Sequence, residues 1–230
     1  MSITNRPLQR FIQDHQERVK NLWRNNIILF FALIVMIFLV PVLNQRGEIH
    51  IRAVLGVVVI SAVFAAEFHR KVFGILLLLG TVVGITMALG VVFKESRTLN
   101  IIAFLLSTSS LVLSTIALVT RVANSQAVDK STILCAINSY LLIGLTASVL
   151  FIITGLLVPN SFVNMHDEAG NLTGYIYFGF VTLTTLGYGD ISPVTPLARS
   201  LSTFVALAGQ LYLVIIMALI IGKFLNSKDR

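Results

Sequence analysis

Nine residues near the end of the chain, TLTTLGYGD from Thr182 to Asp190, combine three threonines, two glycines and a carboxylate between two long apolar stretches. Gly187 and Gly189 can take backbone conformations that other residues avoid. Their alternation with Leu186 and Tyr188 would turn successive carbonyl oxygens to one side and the side chains to the other. Several copies around an axis would stack rings of carbonyl oxygen, which can replace the hydration shell of a monovalent cation. These residue types therefore favour cation coordination by the backbone.

The stretch that precedes Leu186, LTGYIYFGFVTLTT, is apolar and aromatic but too short to cross a hydrocarbon core of about 30 Å. It predicts a half-helix, from about Thr173 to Thr184, that enters the membrane and returns. Non-helical backbone at membrane depth is tolerated only where protein buries it or water bathes it. The half-helix would also direct the negative end of its dipole toward the same axis. Both features favour a cation as the ligand.

The composition of the whole chain indicates an integral membrane protein. Of its 230 residues, 56% are hydrophobic and only 12% are charged, and the mean hydropathy is +0.90. A soluble domain carries about twice that charged fraction. The net charge of +7 is interpreted as setting orientation in the membrane and not as a nucleic-acid surface. The single cysteine, Cys135, lies in an apolar block and is predicted to be a packing residue.

Apolar blocks near 20 residues long predict six transmembrane helices around the short re-entrant one. The predicted spans are Ile27–Leu43, Ala53–Phe68, Val72–Phe93, Ile101–Thr120, Thr132–Val158 and Leu197–Phe224. The predicted fold class is thus an all-α membrane protein with a pore helix and a filter. The second span is the least secure because its uncharged core is short.

The distribution of basic residues predicts that both termini are cytoplasmic. With the N-terminus inside, only a few of the 17 Lys and Arg residues fall on the outer side, namely Arg46, Arg52, Lys94, Arg97 and Arg199. The excess of Lys and Arg inside satisfies the positive-inside rule. We therefore expect a multi-pass protein of the plasma or inner membrane.

The segment Thr184–Asp190, TTLGYGD, resembles the signature filter of tetrameric potassium channels, which usually reads T-V-G-Y-G, often followed by Asp. The resemblance is firm over the last two spans and the segment between them, and it reaches the first four spans only by their number. It implies a homotetramer, in which each chain meets three identical subunits and surrounding lipid, and K⁺ as the permeant ion without a cofactor. Leu186 departs from the commoner valine, which puts filter stability in question more than selectivity.

The resemblance also implies roles for individual residues. The residues that would supply the potassium sites are Thr185, Leu186, Gly187 and Tyr188, with the Thr185 hydroxyl at the inner end. The residues that would support the filter are Thr184, Gly189, Asp190, Tyr177 and Phe178. Tyr188 would pack outward against Tyr177 and Phe178. Gly209 lies where related channels often carry a hinge glycine, although close helix packing explains a glycine there equally well.

The order of six spans resembles voltage-gated potassium channels, but the fourth span lacks their moving charges. Steep voltage gating needs several arginines, because each charge moved contributes about 2.3 kcal/mol per 100 mV. Ile101–Thr120 contains no charged residue, and Arg97 and Arg121 flank it at the two surfaces. The sequence therefore predicts a channel with weak or no voltage gating, or a voltage-gated channel with a degenerate sensor.

The predicted organisation has five parts. Residues 1–25 form a cytoplasmic amphipathic segment, and 26–121 form a four-helix domain that resembles a voltage sensor without gating charges. Residues 122–131 form a linker, 132–225 form the pore domain, and 226–230 form a short cytoplasmic tail.

Three other functions are alternatives to a potassium channel. A potassium transporter subunit usually carries four degenerate pore loops in one chain, which a single full copy disfavours. A membrane sensor that keeps a pore loop without conducting stays open, and flux in liposomes separates it from a channel. An enzyme is not predicted, because no span or loop holds a nucleophile–base pair or a metal cluster.

Overall fold

The computed structural model describes residues 6–43, 49–66, 97–125, 128–165 and 172–228, together with positions 74, 78, 80–82 and 84. The helices in these residues are α1 (Arg6–Ile34), α2 (Val40–Leu43), α3 (Ile49–Ala66), α4 (Arg97–Asn124), α5 (Lys130–Leu157), α6 (Leu172–Leu183) and α7 (Pro196–Lys228). A π-helical turn, Val35–Leu39, joins α1 to α2, and two short strands, β1 (Phe162–Val163) and β2 (Ser192–Pro193), flank α6.

The all-α membrane class predicted from the sequence is confirmed. Among the described residues, four helical stretches are long and apolar enough to cross a membrane, namely Lys20–Leu39, Thr98–Asn124, Lys130–Leu157 and Pro196–Leu225. They correspond to the predicted first, fourth, fifth and sixth spans. The second span forms the shorter α3, and the third, Val72–Phe93, lies mostly outside the described residues. The count of six spans stays a prediction.

The N-terminal segment is continuous with the first span. Helix α1 runs without a break from Arg6 to Ile34, so the boundary predicted after residue 25 falls inside one helix. The π-helical turn that follows lies directly before Pro41. Proline has no backbone N–H and leaves the carbonyl four residues earlier without its α-helical partner, which favours such a widened turn. Whether residues 6–25 lie on the membrane surface stays a prediction.

Buried polar contacts tie α1 to α5. Asn138 Nδ2 donates to Asn26 O at 2.9 Å and to Asn26 Oδ1 at 3.3 Å. Cys135 Sγ lies 3.4 Å from Asn26 Oδ1, so this cysteine is a buried packing residue with one weak polar contact. Polar groups inside a membrane helix bundle need such partners because lipid offers none. Helix α1 is thereby attached to α5, the helix against which α6 packs.

The connection between α4 and α5 is shorter than the predicted linker 122–131. Helix α4 continues to Asn124, and α5 begins at Lys130 with Asp129 as its N-cap. The Asp129 carboxylate accepts from Thr132 N and Thr132 Oγ1, both at 2.7 Å. An N-cap of this type satisfies backbone donors that have no partner inside the helix.

A small hairpin closes the chain around α6. Strand β1 pairs with β2 in antiparallel register, with Phe162 opposite Pro193, and Val194 N donates to Ser161 O at 2.8 Å. Thr195 Oγ1 accepts from Ala198 N at 3.3 Å and caps α7, which begins at Pro196. The segment before α6 and the segment after residues 184–190 are therefore fixed to each other, between the end of α5 and the start of α7.

Candidate ion-coordination site

Small residues let α6 pack closely against α5. A Cβ at Gly179 would overlap Ser148 Oγ, and a Cβ at Gly144 would overlap the ring of Phe180. Ser148 Oγ donates to Gly144 O at 2.8 Å and lies 3.4 Å from Ile176 O across the helix pair. Small residues at a membrane helix interface permit this approach of the two backbones. The position of α6 is therefore set by α5, along most of the length of α6.

Aromatic rings fix the outer half of the same helix. The Phe178 ring lies 4.8 Å from that of Phe151 on α5 and 5.3 Å from that of Phe162 on β1, measured between centroids. The Tyr175 ring lies 5.8 Å from that of Phe162. Phe178 is thus buried against Phe151 and Phe162, and its predicted support of the filter stays a prediction.

The backbone after α6 alternates in conformation with a period of two. Thr185, Gly187 and Gly189 have φ of 58°, 54° and 80°, whereas Leu186 and Tyr188 between them do not have positive φ. Alternation of right-handed and left-handed conformations places successive N–H groups on one side of the chain and the carbonyl groups on the other. Glycine takes positive φ without strain, but a β-branched threonine does not. Thr185 must therefore be held by its surroundings.

The backbone amides of this segment turn toward α6. Leu186 N and Gly187 N both donate to Val181 O, at 3.0 Å and 3.4 Å, and Thr185 N donates to Thr182 O at 3.0 Å. In a trans peptide the N–H points opposite to the carbonyl of the preceding residue. The carbonyl oxygens of Thr185 and Leu186 therefore face away from Val181 O. The coordination of an ion by a row of such carbonyl oxygens stays a prediction.

The C-terminal end of residues 184–190 is held by Asp190. Tyr177 Oη donates to Asp190 Oδ2 at 2.6 Å, Ile191 N donates to Asp190 Oδ1 at 3.0 Å, and Asn164 Nδ2 donates to Asp190 O at 2.8 Å. The bond from Tyr177 lowers the pKa of Asp190, and the same bond raises the pKa of Tyr177 to about 12. Tyr177 and Asp190 were both predicted to support the filter, and the structure joins them directly. Asn164 was not singled out from the sequence.

We expect Tyr177→Phe to reduce ion flux severalfold, because it removes the side-chain bond that holds Asp190.

The bond needs an ionised Asp190 and a protonated Tyr177. Its contribution to stability is complete above the ordinary aspartate pKa of about 3.9 and is lost as the pH falls through the lowered pKa of Asp190. At the alkaline end it is complete below about 10 and is lost as the pH rises through the pKa of Tyr177, about 12.

The measurement is the thermal midpoint of wild type and Tyr177→Phe from pH 3 to pH 10. The difference between the two should be largest near pH 7 and should shrink toward pH 3. Tyr140→Phe removes a hydroxyl from α5 far from Asp190 in the chain and serves as the control. A difference that is constant across this pH range would contradict the assignment.

The C-terminal end of α6 lies against α7 at Gly209. A Cβ on Gly209 would overlap Leu183 O and would lie 2.9 Å from Leu183 Cδ1. This close approach explains a glycine at the position by packing alone, and α7 is one helix through it. The role of Gly209 as a gating hinge stays a prediction.

The remaining predicted site residues are exposed to solvent in the single chain. In the single chain, all residues of 184–190 are exposed, including Thr184 and Gly189, and Tyr188 is 68% exposed. The predicted packing of the Tyr188 ring against Tyr177 and Phe178 stays a prediction.

A lysine joins the far end of α7 to the end of α4. Lys223 Nζ donates to Val122 O at 2.7 Å, Ala123 O at 2.8 Å and Ser125 Oγ at 3.2 Å. The last carbonyls of a helix have no partner within it, and a cation there also interacts favourably with the helix dipole. The sequence indicates only that Lys223 lies at a membrane interface. It does not predict this contact, because the partners of Lys223 lie about 100 residues earlier.

We expect Lys223→Met to lower the free energy of unfolding by about 1 kcal/mol, which is the usual size of such a charge–helix interaction. For a chain of this length the thermal midpoint should fall by about 2 to 4 °C. Lys20→Met removes a positive charge from an exposed position of α1 and is the matched control. Equal midpoints for the two variants would show that the Lys223 contact does not stabilise the protein.

The comparisons with known proteins agree with this geometry. Residues 140–226 match the family described as "Ion channel". The chain is 32% identical over 80 residues to the inward rectifier potassium channel Kirbac3.1 of Paramagnetospirillum magnetotacticum, covering 33% of this chain and 27% of that protein. It is 31% identical over 61 residues to the potassium channel K1 of Plasmodium berghei (strain Anka), covering 26% of this chain and 3% of that protein. No solved structure matches the chain at a significant level.

The short helix α6 lies in the chain between α5 and α7, two helices long and apolar enough to cross a membrane. The family match falls on this part of the chain. Residues 140–226 are therefore similar in sequence to ion channels, and the two relatives named above are potassium channels. The chain spans about a quarter of the first relative and a small fraction of the second.

Proposed function

We propose that the protein is a potassium-selective channel that conducts K⁺ passively and is not an enzyme. The observation that carries the proposal is the period-two backbone of Thr185, Gly187 and Gly189, with the amides of Leu186 and Gly187 turned to Val181 O. That backbone leaves a row of carbonyl oxygens for a dehydrated cation. In this proposal the potassium sites are formed by Thr185, Leu186, Gly187 and Tyr188, K⁺ is the permeant ion, and no cofactor takes part.

The functional unit in this proposal is a homotetramer, because each chain contributes one filter segment and fourfold closure requires four. Exposure supports an assembly of several copies. In the single chain, 61% of the most apolar stretch of α5 is buried, compared with 17% for α7. The non-helical residues 184–190 are exposed as well and cannot face lipid with unpaired backbone groups. Contact with other copies would bury the exposed surface of α7, and a water-filled axis would hydrate the backbone of residues 184–190.

The gating mode is proposed from the fourth span. Ile101–Thr120 carries no charge that a membrane potential could move, so the conductance should depend weakly or not at all on voltage. The domain division given above, the plasma or inner membrane and the cytoplasmic placement of both termini belong to the same proposal.

Flux measurements on purified protein in liposomes test the function. A channel selective for K⁺ gives a reversal potential that follows the K⁺ gradient when Na⁺ balances the salt on the other side. A reversal potential midway between those of K⁺ and Na⁺ would refute selectivity. Flux against a gradient would indicate a transporter, and the absence of any flux would indicate a non-conducting membrane protein. Native mass spectrometry in the same lipid tests the four-chain assembly.

A further inference from the structure

Gln210 on α7 reaches the inner end of the segment proposed as the filter. Its Nε2 atom donates to Thr185 Oγ1 at 3.2 Å, across 25 positions of the sequence. Within residues 172–228, this is the only side-chain hydrogen bond that joins α7 to residues 184–190. The close packing of Gly209 on Leu183 O brings the α7 backbone near enough for the next side chain to make it.

The orientation of α7 about its own axis directs the Gln210 side chain toward Thr185. Tyr212, two residues further, donates its hydroxyl to Ala136 O on α5 at 2.6 Å, and its ring lies 5.7 Å from that of Tyr140. Two residues in an α-helix are separated by about 200° around the axis. Tyr212 therefore fixes one side of α7 to α5 while Gln210 faces nearly the opposite way, toward Thr185.

Thr185 is the residue of the segment that most needs an external support. Its φ of 58° is unfavourable for a β-branched side chain, and such strain persists only where the surroundings over-determine it. A hydroxyl oxygen has two lone pairs. A donor amide that occupies one of them fixes the χ1 rotamer of Thr185 and leaves the second lone pair for an ion.

We propose that Gln210 is a positioning residue for the innermost cation site. In the tetramer, four Gln210 amides would form a polar ring beneath the filter, each holding one Thr185 hydroxyl in the orientation that faces the ion. This inference rests on the proposed function, and it assigns to α7 a direct effect on the affinity and size preference of the site. The ligand is a dehydrated cation of the size of K⁺.

The test uses the full chain in planar bilayers with Ba²⁺ on the cytoplasmic side, because Ba²⁺ is close to K⁺ in size and dwells longer through its double charge. Gln210→Leu keeps the bulk and helical propensity of the side chain but removes the donor. We expect it to change the Ba²⁺ block constant at least fivefold and to change the ratio of Rb⁺ to K⁺ conductance. The control is Thr203→Val, which removes an exposed hydroxyl of α7 that bonds only to its own helix, at Arg199 O.

A double-mutant cycle separates positioning from a general structural effect. In the Thr185→Ser background, which keeps the hydroxyl, Gln210→Leu should have its full effect. In the isosteric Thr185→Val background, which lacks the hydroxyl, it should have none. An equal effect in the two backgrounds, or no effect in wild type, would overturn the inference while leaving potassium conduction intact.

A binding measurement covers the case in which the wild type does not conduct, which would refute the proposed function on its own. Added Ba²⁺ should raise the thermal midpoint of the wild-type tetramer, since a ligand of the folded state stabilises it. Gln210→Leu should reduce this rise in the Thr185 and Thr185→Ser backgrounds only. A rise that is the same with and without Gln210 would overturn the positioning role.

Discussion

Gly209→Ala is expected to reduce K⁺ flux at least tenfold and to lower the thermal midpoint of the protein. In an ordinary helix interior the same change stabilises by about 1 kcal/mol. Here the added methyl group would overlap Leu183 O and approach Leu183 Cδ1. A backbone carbonyl cannot rotate away as a flexible side chain can, and overpacking of this kind costs about 1 to 3 kcal/mol per chain. Helix α7 must then move from the end of α6, and the bond from Gln210 to Thr185 is lost with it.

The matched control is Gly222→Ala, in the same helix. A Cβ at Gly222 meets nothing within 4 Å in the chain, so this variant should keep its flux and its midpoint. The pair also distinguishes the two explanations of Gly209. If Gly209 acts only as a hinge, Gly209→Ala would change the open fraction while its thermal midpoint stays at or above that of wild type. That outcome would contradict the packing explanation.

Gly187→Ala is expected to abolish potassium-selective conduction. Gly187 has a φ of 54°, and an L-residue in this conformation costs about 1 to 2 kcal/mol. Four copies in the proposed tetramer would add about 4 to 8 kcal/mol, which is comparable to the whole stability of many domains. The backbone would relax by rotating the peptide groups on either side of residue 187, and the carbonyl row would then be broken at its centre.

Space is not the cause in this case, since a Cβ at Gly187 has no atom within 4 Å in the chain. Gly80→Ala is the control, because Gly80 has no positive φ and its Cβ would make an ordinary contact of 3.8 Å with Ile60 Cγ1. Liposome flux with K⁺ and with Na⁺ measures both variants. Retention of selective K⁺ flux by Gly187→Ala would show that the left-handed conformation at residue 187 is not needed for conduction.

The sequence predicted the elements of the pore region closely. Helix α6 was expected from about Thr173 to Thr184 and runs from Leu172 to Leu183. Thr195 and Pro196, a pair typical of helix starts, begin α7. Apolar length and the preferences of threonine and proline at helix starts are local properties, so one sequence suffices to predict them. The predicted boundary after residue 25, in contrast, falls inside helix α1. No helix-breaking residue stands between residue 25 and the first span to end the helix there.

What the sequence determined by itself is the chemistry of residues 184–190, where glycines at alternate positions permit the left-handed conformations of Gly187 and Gly189. What only the tertiary structure decided is which distant groups meet that segment and the helix beside it. The bonds from Gln210 to Thr185 and from Lys223 to the last carbonyls of α4 join residues 25 and about 100 positions apart. Periodicity shows which face of a helix is apolar, but such contacts depend on the distance and rotation between helices, which the close packing of glycines such as Gly209 sets in three dimensions.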